Sequence, residues 1–411
     1  MMNYLNATKW MVFGCAATFM ISCSHDTTSE IDSLNPETEL TAASPESYIV
    51  VFNTKETGNL GQKFTDYSAA KNAVSNVAQR LMSDAQITDA SVEQVYARAL
   101  NGFSVRMNAA EVAILENDPR VAYIEKDQMI ALAPPPGRGP GGGGDDGGGS
   151  TGQETPYGIA RVNGVSAYTG SGVAWVLDSG IDLDHPDLNV DASRGFNAFT
   201  SGRDSKSLDD GDGHGTHVAG TIAALNNDIG VVGVAPGATV IPVKVLDSRG
   251  SGSYSGVIAG IDHVAANGSP GDVANMSLGG GASQAVDDAV INAASQGVKF
   301  VIAAGNSGAN ANNYSPARAE GPNVFTISAM DINDSWASFS NYANPPVDYC
   351  APGVGIKSTW KSGGYNTISG TSMASPHAAG VLLLGNATTD GTVAGDPDGN
   401  ADPIIVNGNG A

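Results

Sequence analysis

The sequence contains few cysteines, and this limits how the fold can be stabilised. There are three among 411 residues, at positions 15, 23 and 350. Cys15 and Cys23 belong to the N-terminal apolar region, so the remainder of the chain has one thiol and cannot form an internal disulfide. Stability must then come from packing, with bound metal ions as a further candidate source. We expect Cys350 to be a buried, inert thiol.

Basic residues are also scarce. Lysine and arginine together number 20, against 42 aspartates and glutamates, which gives a formal net charge of −22. Such a chain is repelled by nucleic acid phosphates and by anionic lipid surfaces, so we expect no nucleic acid partner. The surplus carboxylates favour solubility and suit hard cations such as calcium. The hydrophobic fraction of 41% allows a sizeable core, and the length predicts two folded units with tails.

The N-terminus has an apolar run at residues 10–21 that is too short to span a bilayer as a helix. Lys9 precedes this run and Ser22-Cys23 follows it, which is typical of a signal peptide and predicts export. The segment FMISC, ending at Cys23, resembles a bacterial lipoprotein signal. That resemblance implies an acylated Cys23 and an extracellular protein or a cell-surface or outer-membrane lipoprotein. The alternative is a plain secretory signal in which Cys23 is discarded.

Composition and apolar periodicity divide the rest of the chain. A strand, helix, strand, strand, helix, strand order predicts a small α+β domain with a ferredoxin-like pattern. Alternating strands and helices later in the chain predict an α/β fold, a doubly wound parallel sheet with helices on both faces. The predicted segments are a signal peptide at 1–23, a disordered tether at 24–45, a small domain at 46–133, a Gly/Pro-rich linker at 134–153, a larger domain at 154–390 and an acidic C-terminal tail at 391–411.

Three segments of the larger domain carry side chains suited to nucleophilic catalysis. Asp178 ends an apolar strand in VLDSG, His214 begins a helix in DGHGTH, and Ser372 begins another helix in GTSMASPH. This chemistry needs a hydroxyl nucleophile, a base that takes its proton and an acid that orients the base. Each segment alone is weak evidence, because such residues also serve as turns and helix caps.

Together with VKVLD at 243–247, NMSLGG at 275–280, AAGN at 303–306 and FSNY at 339–342, these segments resemble the subtilisin superfamily, and its proteinase K group most closely. The resemblance covers roughly residues 157–384. It implies a serine endopeptidase that hydrolyses peptide bonds through an acyl-enzyme. Ser372 would be the nucleophile, His214 the base and then the acid, and Asp178 the group that orients the imidazole. Asn306 would donate its amide to the oxyanion, together with the backbone N–H of Ser372.

The same resemblance implies where the substrate binds. It also implies that the substrates are proteins and peptides and that the enzyme is a monomer. Two extended edges would sandwich the substrate as an added strand, which gives affinity without much sequence choice. Small apolar walls in the primary pocket imply broad specificity with a preference for apolar or aromatic side chains. The edges are Gly250, Ser251 and Gly252 on one side and Ser277, Leu278 and Gly279 on the other, and the pocket walls are Ala303, Ala304 and Gly305.

Structural calcium is the cofactor that the resemblance implies, with no catalytic metal. Its ligands would be the backbone carbonyls of Pro322 and Val324 and the carboxylate of Asp348. Two acidic stretches, at 204–212 and 396–402, are either solvated loops or further calcium sites.

Residues 48–132 resemble subtilisin propeptides, notably in ALNGFS at 99–104 and DPRVAYIEKD at 118–127. This implies an intramolecular inhibitor whose last strand lies in the substrate groove until the precursor cleaves itself. The bonds before Pro134, Pro135 and Pro136 are poor cleavage sites because proline distorts an extended strand. We therefore expect cleavage near Leu132, with the glycine-rich stretch as the alternative.

Two other functions fit a chain of this kind. A catalytically inactive subtilisin fold used for binding would need a broken triad or the loss of Asn306, and the sequence has neither. An esterase or a peptide ligase could use the same acyl-enzyme, and ligation would need features that exclude water.

Overall fold

The computed structural model describes residues 45–132 and 152–408. The predicted signal peptide, the tether up to residue 44 and most of the predicted linker lie outside these ranges. Within them, no helix combines the length and apolar character that a membrane crossing requires.

The propeptide domain forms a four-stranded antiparallel sheet in the order β2-β3-β1-β4, with α3 packed against it. The sheet and the helix each bury an apolar face between them. Val50 of the sheet and Val74 of the helix, for example, are both fully buried. The predicted ferredoxin-like order is confirmed. Its elements are β1 (Glu46–Phe52), α1 (Thr54–Thr57), α2 (Leu60–Lys63), α3 (Tyr67–Asp84), β2 (Val92–Tyr96), β3 (Gly102–Met107), α4 (Ala109–Leu115), β4 (Val121–Lys126) and β5 (Met129–Ala131).

The larger domain is built on a nine-stranded, mainly parallel sheet, which confirms the predicted α/β class. Its elements are α5 (Tyr157–Arg161), β6 (Ala174–Asp178), β7 (Phe196–Asn197), α6 (His214–Ala223), β8 (Val240–Lys244), β9 (Ser251–Ser253), α7 (Tyr254–Asn267), β10 (Val273–Met276), β11 (Gly280–Gly281), α8 (Gln284–Ala294), β12 (Lys299–Ala303), β13 (Tyr314–Ser315), β14 (Val324–Met330), β15 (Val347–Pro352), β16 (Ile356–Trp360), β17 (Gly364–Ile368), α9 (Thr371–Leu384), β18 (Ala387–Thr392) and β19 (Pro403–Asn407). The sheet runs in the order β18-β19-β15-β14-β12-β10-β6-β8-β7.

Helices cover both faces of this sheet, and the strands are apolar on both sides for that reason. In β6, Ala174 and Val176 pack in the cluster that contains α6 and α9, whereas Trp175 and Leu177 pack in the cluster that contains α7 and α8. Because the central strands are parallel, their carboxyl ends meet at one edge, where Asp178 ends β6.

The C-terminal region differs from the prediction. The tail predicted at 391–411 instead contains β19, which pairs in parallel with β15 and antiparallel with β18. Ile404 and Ile405 are buried there, so this short apolar run holds β19 in the core. The Gly- and Asp-rich sequence around it led to the prediction of a tail. At the end of the predicted linker, the side chain of Gln153 donates a hydrogen bond to the carbonyl of Leu225.

Candidate active site

Asp178 and His214 meet at the carboxyl edge of the sheet. Asp178 is the last residue of β6, and His214 is the first of α6, after a glycine with φ of +114°. The Nδ1 of His214 lies 2.9 Å from both Asp178 carboxylate oxygens. Asp178 is fully buried, and its Oδ1 also accepts the backbone N–H of Ser179 at 2.7 Å. The imidazole is therefore held in one orientation, with Nδ1 toward the carboxylate and Nε2 toward the cleft.

The electrostatics of this pair favour the imidazolium. Burial alone disfavours the charged ring, but the carboxylate of Asp178, assisted by Asp212 and Asp210, outweighs it and raises the pKa of His214. A positive charge that forms on the ring during a reaction is stabilised by the same carboxylates.

Ser372 lies in the first turn of α9 and lines the same cleft as His214. Its hydroxyl donates to the carbonyl of Ser277 at 3.1 Å, and the Ser277 hydroxyl donates back to the Ser372 carbonyl at 2.8 Å. For attack, the Ser372 hydroxyl must turn from this carbonyl to the imidazole, and such bonds commonly tighten when substrate binds.

Asn306 follows β12 and is oriented by Thr371. Its Oδ1 accepts the Thr371 backbone N–H at 2.8 Å and the Thr371 hydroxyl at 2.9 Å. With the oxygen fixed in this way, the amide nitrogen is the free end, and Asn306 lines the cleft beside Ser372. The arrangement can offer an N–H to a developing oxyanion next to the serine.

His217 and His377 are buried and face away from this chemistry. The Nε2 of His217 lies 3.0 Å from the carbonyl of Ile356, and burial lowers its pKa to about 3. The Nδ1 of His377 lies 2.8 Å from the carbonyl of Met373, and burial lowers its pKa to about 4. Both rings stay neutral in the core.

A cavity of about 240 Å³ adjoins Ser372. None of the described residues that line it is charged. Gly305 has φ of +104°, and a β-carbon there would lie 2.4 Å from the amide nitrogen of Asn341. Glycine is therefore required at that wall. All the residues predicted for the primary pocket and the second edge are among the lining residues, namely Ser277, Leu278, Gly279, Ala303, Ala304 and Gly305.

The last described propeptide strand occupies the groove beside this cavity. β5 pairs antiparallel with β9, with Ile130 opposite Gly252 and Ala131 opposite Ser251. The backbone N–H of Leu132 then donates to the carbonyl of Gly250 at 2.9 Å. The predicted first edge thus binds the chain's own propeptide as an added strand.

A second contact anchors the propeptide on α7, and sequence reasoning missed it. The fully buried carboxylate of Asp262 accepts the backbone N–H groups of Ala97, Arg98 and Ala99 at 2.6–3.1 Å and the hydroxyl of Tyr67 at 2.6 Å. Burial, followed by the Asp262 charge, raises the pKa of Tyr67, so its hydroxyl remains a donor. No local motif marks an aspartate within an amphipathic helix for this task.

The residues predicted for calcium lie together around the start of β14. Pro322 and Val324 flank a residue with φ of +62°, and Asp348 accepts the N–H of Thr326 at 2.8 Å. The Asp348 side chain reaches the surface, but protein atoms crowd its carboxylate, and this desolvation raises its pKa to about 6. This carboxylate and the carbonyls of Pro322 and Val324 would form an all-oxygen donor set, which is the kind that calcium prefers.

Asp187 fits a cation on different grounds and was not predicted. Its side chain is fully buried, Oδ2 accepts from the N–H of Val231, and Oδ1 has no hydrogen-bond partner. Desolvation raises its pKa to about 6. Asp187 is recognised as a candidate ligand because its side chain is buried, and the sequence alone does not show that burial. Among the described residues, no group of three or more His, Cys, Asp or Glu side chains is placed to hold a metal, so calcium would rely on backbone and amide oxygens.

Comparisons with known proteins agree with this geometry. Residues 171–390 match the profile described as the subtilase family, and residues 47–133 match the one described as peptidase inhibitor I9. The extracellular serine proteinase of Thermus sp. (strain Rt41A) is 40% identical over 385 residues, which cover 91% of this chain and 88% of that protein.

Other relatives show the same likeness. The alkaline serine exoprotease A of Vibrio alginolyticus is 42% identical over 71% of this chain, and the match spans 53% of that longer protein. Subtilisin E of Bacillus subtilis (strain 168) is 41% identical, with 69% of this chain and 70% of that protein covered. The crystal structure of a cold adapted subtilisin-like serine proteinase is 40% identical with a TM-score of 0.53, and covers 61% of this chain and 97% of the other.

Proposed function

Because the chain belongs to the subtilase family of serine proteases and carries a peptidase inhibitor I9 propeptide, we propose a role for each residue of its site. The protein is a serine endopeptidase made with its own inhibitor domain. Ser372 attacks the scissile carbonyl, while His214 takes the hydroxyl proton and later gives it to the leaving amine. Asp178 holds the ring and stabilises the imidazolium. The observation that carries this proposal is the buried Asp178–His214 pair at 2.9 Å in the same cleft as Ser372.

Asn306 stabilises the tetrahedral intermediate. The support is its anchoring by Thr371, which fixes the amide oxygen and leaves the nitrogen as a donor beside Ser372. The Ser372 backbone N–H, in the first turn of α9, is the second donor. Removing one such donor costs about 3 kcal/mol of transition-state stabilisation, a magnitude measured in subtilisin itself.

The enzyme accepts many sequences and prefers an apolar or aromatic side chain before the scissile bond. Backbone pairing along residues 250–252 gives affinity that does not depend on sequence. The uncharged cavity beside Ser372 offers no partner to a basic or acidic side chain, whose desolvation would then be uncompensated.

The propeptide inhibits the enzyme until the chain cuts itself. β5 already lies on β9, and the sequence after Leu132 contains three prolines that resist cleavage. We place self-cleavage near Leu132, with the glycine-rich stretch as the alternative.

Calcium stabilises the catalytic domain structurally and takes no part in the reaction. Asp348 with the carbonyls of Pro322 and Val324 would hold one ion, which relieves the desolvation of that carboxylate. Asp187 would hold another, with its unpaired Oδ1 as the ligand.

The protein is exported and attached to a membrane through a lipid on Cys23. The Thermus relative is named an extracellular proteinase, and the N-terminal sequence of this chain has the form of a lipoprotein signal. Replacing Cys23 with serine should move the protein from the membrane fraction to the medium. A protein found in the medium both with and without the replacement would support the plain secretory signal.

An alkyl fluorophosphonate tests the nucleophile directly, because it phosphonylates a serine whose proton an adjacent base removes. We expect wild type to gain one phosphonyl group, with loss of hydrogen fluoride, on the peptide containing Ser372, and Ser372→Ala to gain none. His214→Ala should react far more slowly. Labelling of Ser372→Ala on another serine, with turnover retained, would refute the assignment.

A further inference from the structure

Asp210, four residues before His214, joins the chain segments that carry Asp178 and His214. Its side chain is 5% exposed. Oδ1 accepts the hydroxyl of Ser179 at 2.9 Å, and Ser179 directly follows Asp178. Asp210 is therefore hydrogen-bonded to the segment that follows β6, one residue after Asp178.

The remaining bonds of Asp210 run to the start of α6. Oδ1 also accepts the backbone N–H groups of Asp212 at 3.0 Å and Gly213 at 2.8 Å. Oδ2 accepts both the N–H and the hydroxyl of Thr216, at 2.9 and 2.6 Å. One carboxylate thus takes five hydrogen bonds, four of them from the turn and helix that present His214. A buried carboxylate at a helix N-terminus is also favoured by the helix dipole.

Ser179 completes the connection. Its hydroxyl oxygen accepts the N–H of Gly215 at 3.0 Å, and its carbonyl accepts the ammonium of Lys244, which is 1% exposed. Lys244 ends β8, the strand that pairs with β6. Ser179, Asp210 and Lys244 are all buried, and each makes hydrogen bonds within this network, so the network has little freedom to shift.

We propose that Asp210 is a positioning residue for catalysis, which fixes His214 against Asp178 by bonding both segments at once. This inference rests on the proposed roles of those two residues and of Ser372. Asp210 bonds neither Ser372 nor the propeptide strand in the groove, so its effect passes through His214. Catalytic groups must be held within about 0.5 Å of their productive geometry, and small displacements cost rate rather than substrate affinity.

The charge of Asp210 has a second effect. The ionisable groups that face His214 are Asp178, Asp212 and Asp210, which raise its pKa, and His217, which stays neutral. Arg249 lines the same cleft from the loop before β9. Loss of the Asp210 charge should lower the pKa of His214, so the acid limb of the pH–rate profile should move to lower pH.

Asp210→Asn tests the proposal, with Asp209→Asn as the matched control. Asp209 is the adjacent aspartate, but it is exposed, and its carboxylate accepts one hydrogen bond, from the N–H of Leu183 at 3.4 Å. Both variants are made as the full chain, and turnover of an apolar peptide p-nitroanilide is measured per fluorophosphonate-reactive site across the acid limb. For Asp210→Asn we expect kcat to fall roughly 10- to 100-fold with KM almost unchanged, and the acid limb to shift downward. For Asp209→Asn we expect neither change.

A folded Asp210→Asn protein with the kcat and acid limb of the control would overturn the proposal. If that variant does not fold, Ser179→Ala decides, because it removes the bridging hydroxyl without changing charge. It should lower kcat and leave both KM and the acid limb in place, and an unchanged kcat would refute the positioning role. Turnover retained by Ser372→Ala would instead show that the proposed function itself is wrong.

Discussion

Asp262 offers a quantitative test of how the propeptide inhibits the enzyme. All of its side-chain hydrogen bonds go to the propeptide, from three consecutive backbone N–H groups at 97–99 and from the hydroxyl of Tyr67. An asparagine in its place keeps the size of the side chain, but it loses the charge and turns an amide toward groups that are themselves donors. Removing one partner of a buried, charged hydrogen-bond network costs 2–5 kcal/mol, and we take about 3 kcal/mol.

That cost corresponds to roughly 100-fold weaker binding, since each 1.4 kcal/mol is tenfold. The assay is the inhibition constant of the free propeptide against the mature enzyme, for wild type and Asp262→Asn. The folding cost of the free propeptide is common to both measurements and cancels in their ratio. Tyr67→Phe in the propeptide removes a single bond to the same carboxylate and should weaken inhibition of wild type by a smaller factor.

Turnover of a small substrate should be the same for both enzymes, because Asp262 bonds nothing in the groove. An inhibition constant that changes less than about threefold for Asp262→Asn would refute this account, as it would correspond to less than one ordinary neutral hydrogen bond.

Three further predictions concern charge, metal and packing. Asp212→Asn should move the acid limb of the kcat/KM profile to lower pH. The reason is that Asp212 raises the pKa of His214, and His214 must be neutral to act as the base. An acid limb that stays in place would contradict this electrostatic role of Asp212. Chelation of calcium should lower the melting temperature of the Ser372→Ala protein, because calcium bound to the folded state stabilises it. Adding Asp187→Asn or Asp348→Asn to that protein should reduce the loss if either removes a site. An equal loss in the Ser372→Ala protein with and without each further change would place the ion elsewhere. Ile405→Ala removes a buried side chain and should lower the free energy of unfolding by about 3 kcal/mol in chemical denaturation. Thr388→Ala on the exposed β18 should change that free energy by less than about 0.5 kcal/mol. Equal effects would mean that β19 is not part of the core.

The central architecture could be predicted because its signals are local. β10 and β12 are short apolar runs separated by helices of regular spacing, and that pattern requires a sheet covered on both faces. Ser283 precedes α8 and caps it by accepting the N–H of Val286, as serine commonly does at a helix start. The segments around Asp178 and His214 can be recognised locally because each has a glycine with positive φ where the backbone turns, Gly180 and Gly213.

The features that sequence missed depend on tertiary burial. Asp210 stands in the run DDGDG, which is equally typical of a solvated loop, and only the folded chain shows that one of these carboxylates is buried. The hydrogen-bond partners of Asp187 and Asp262 lie far away in the sequence, so no local pattern marks either residue. β19 was missed because three apolar residues between Asp402 and Asn407 are too few to show a period.

The most direct test of the account is the intact mass of the full chain after Cys23, for wild type beside Ser372→Ala, with calcium present. Wild type should split near Leu132 or within the glycine-rich stretch, while Ser372→Ala should stay whole. Cleavage of both proteins at the same bond would assign the cut to another protease. Two whole proteins, with no turnover of peptide substrates, would contradict self-processing by Ser372 and would favour a subtilisin fold used for binding.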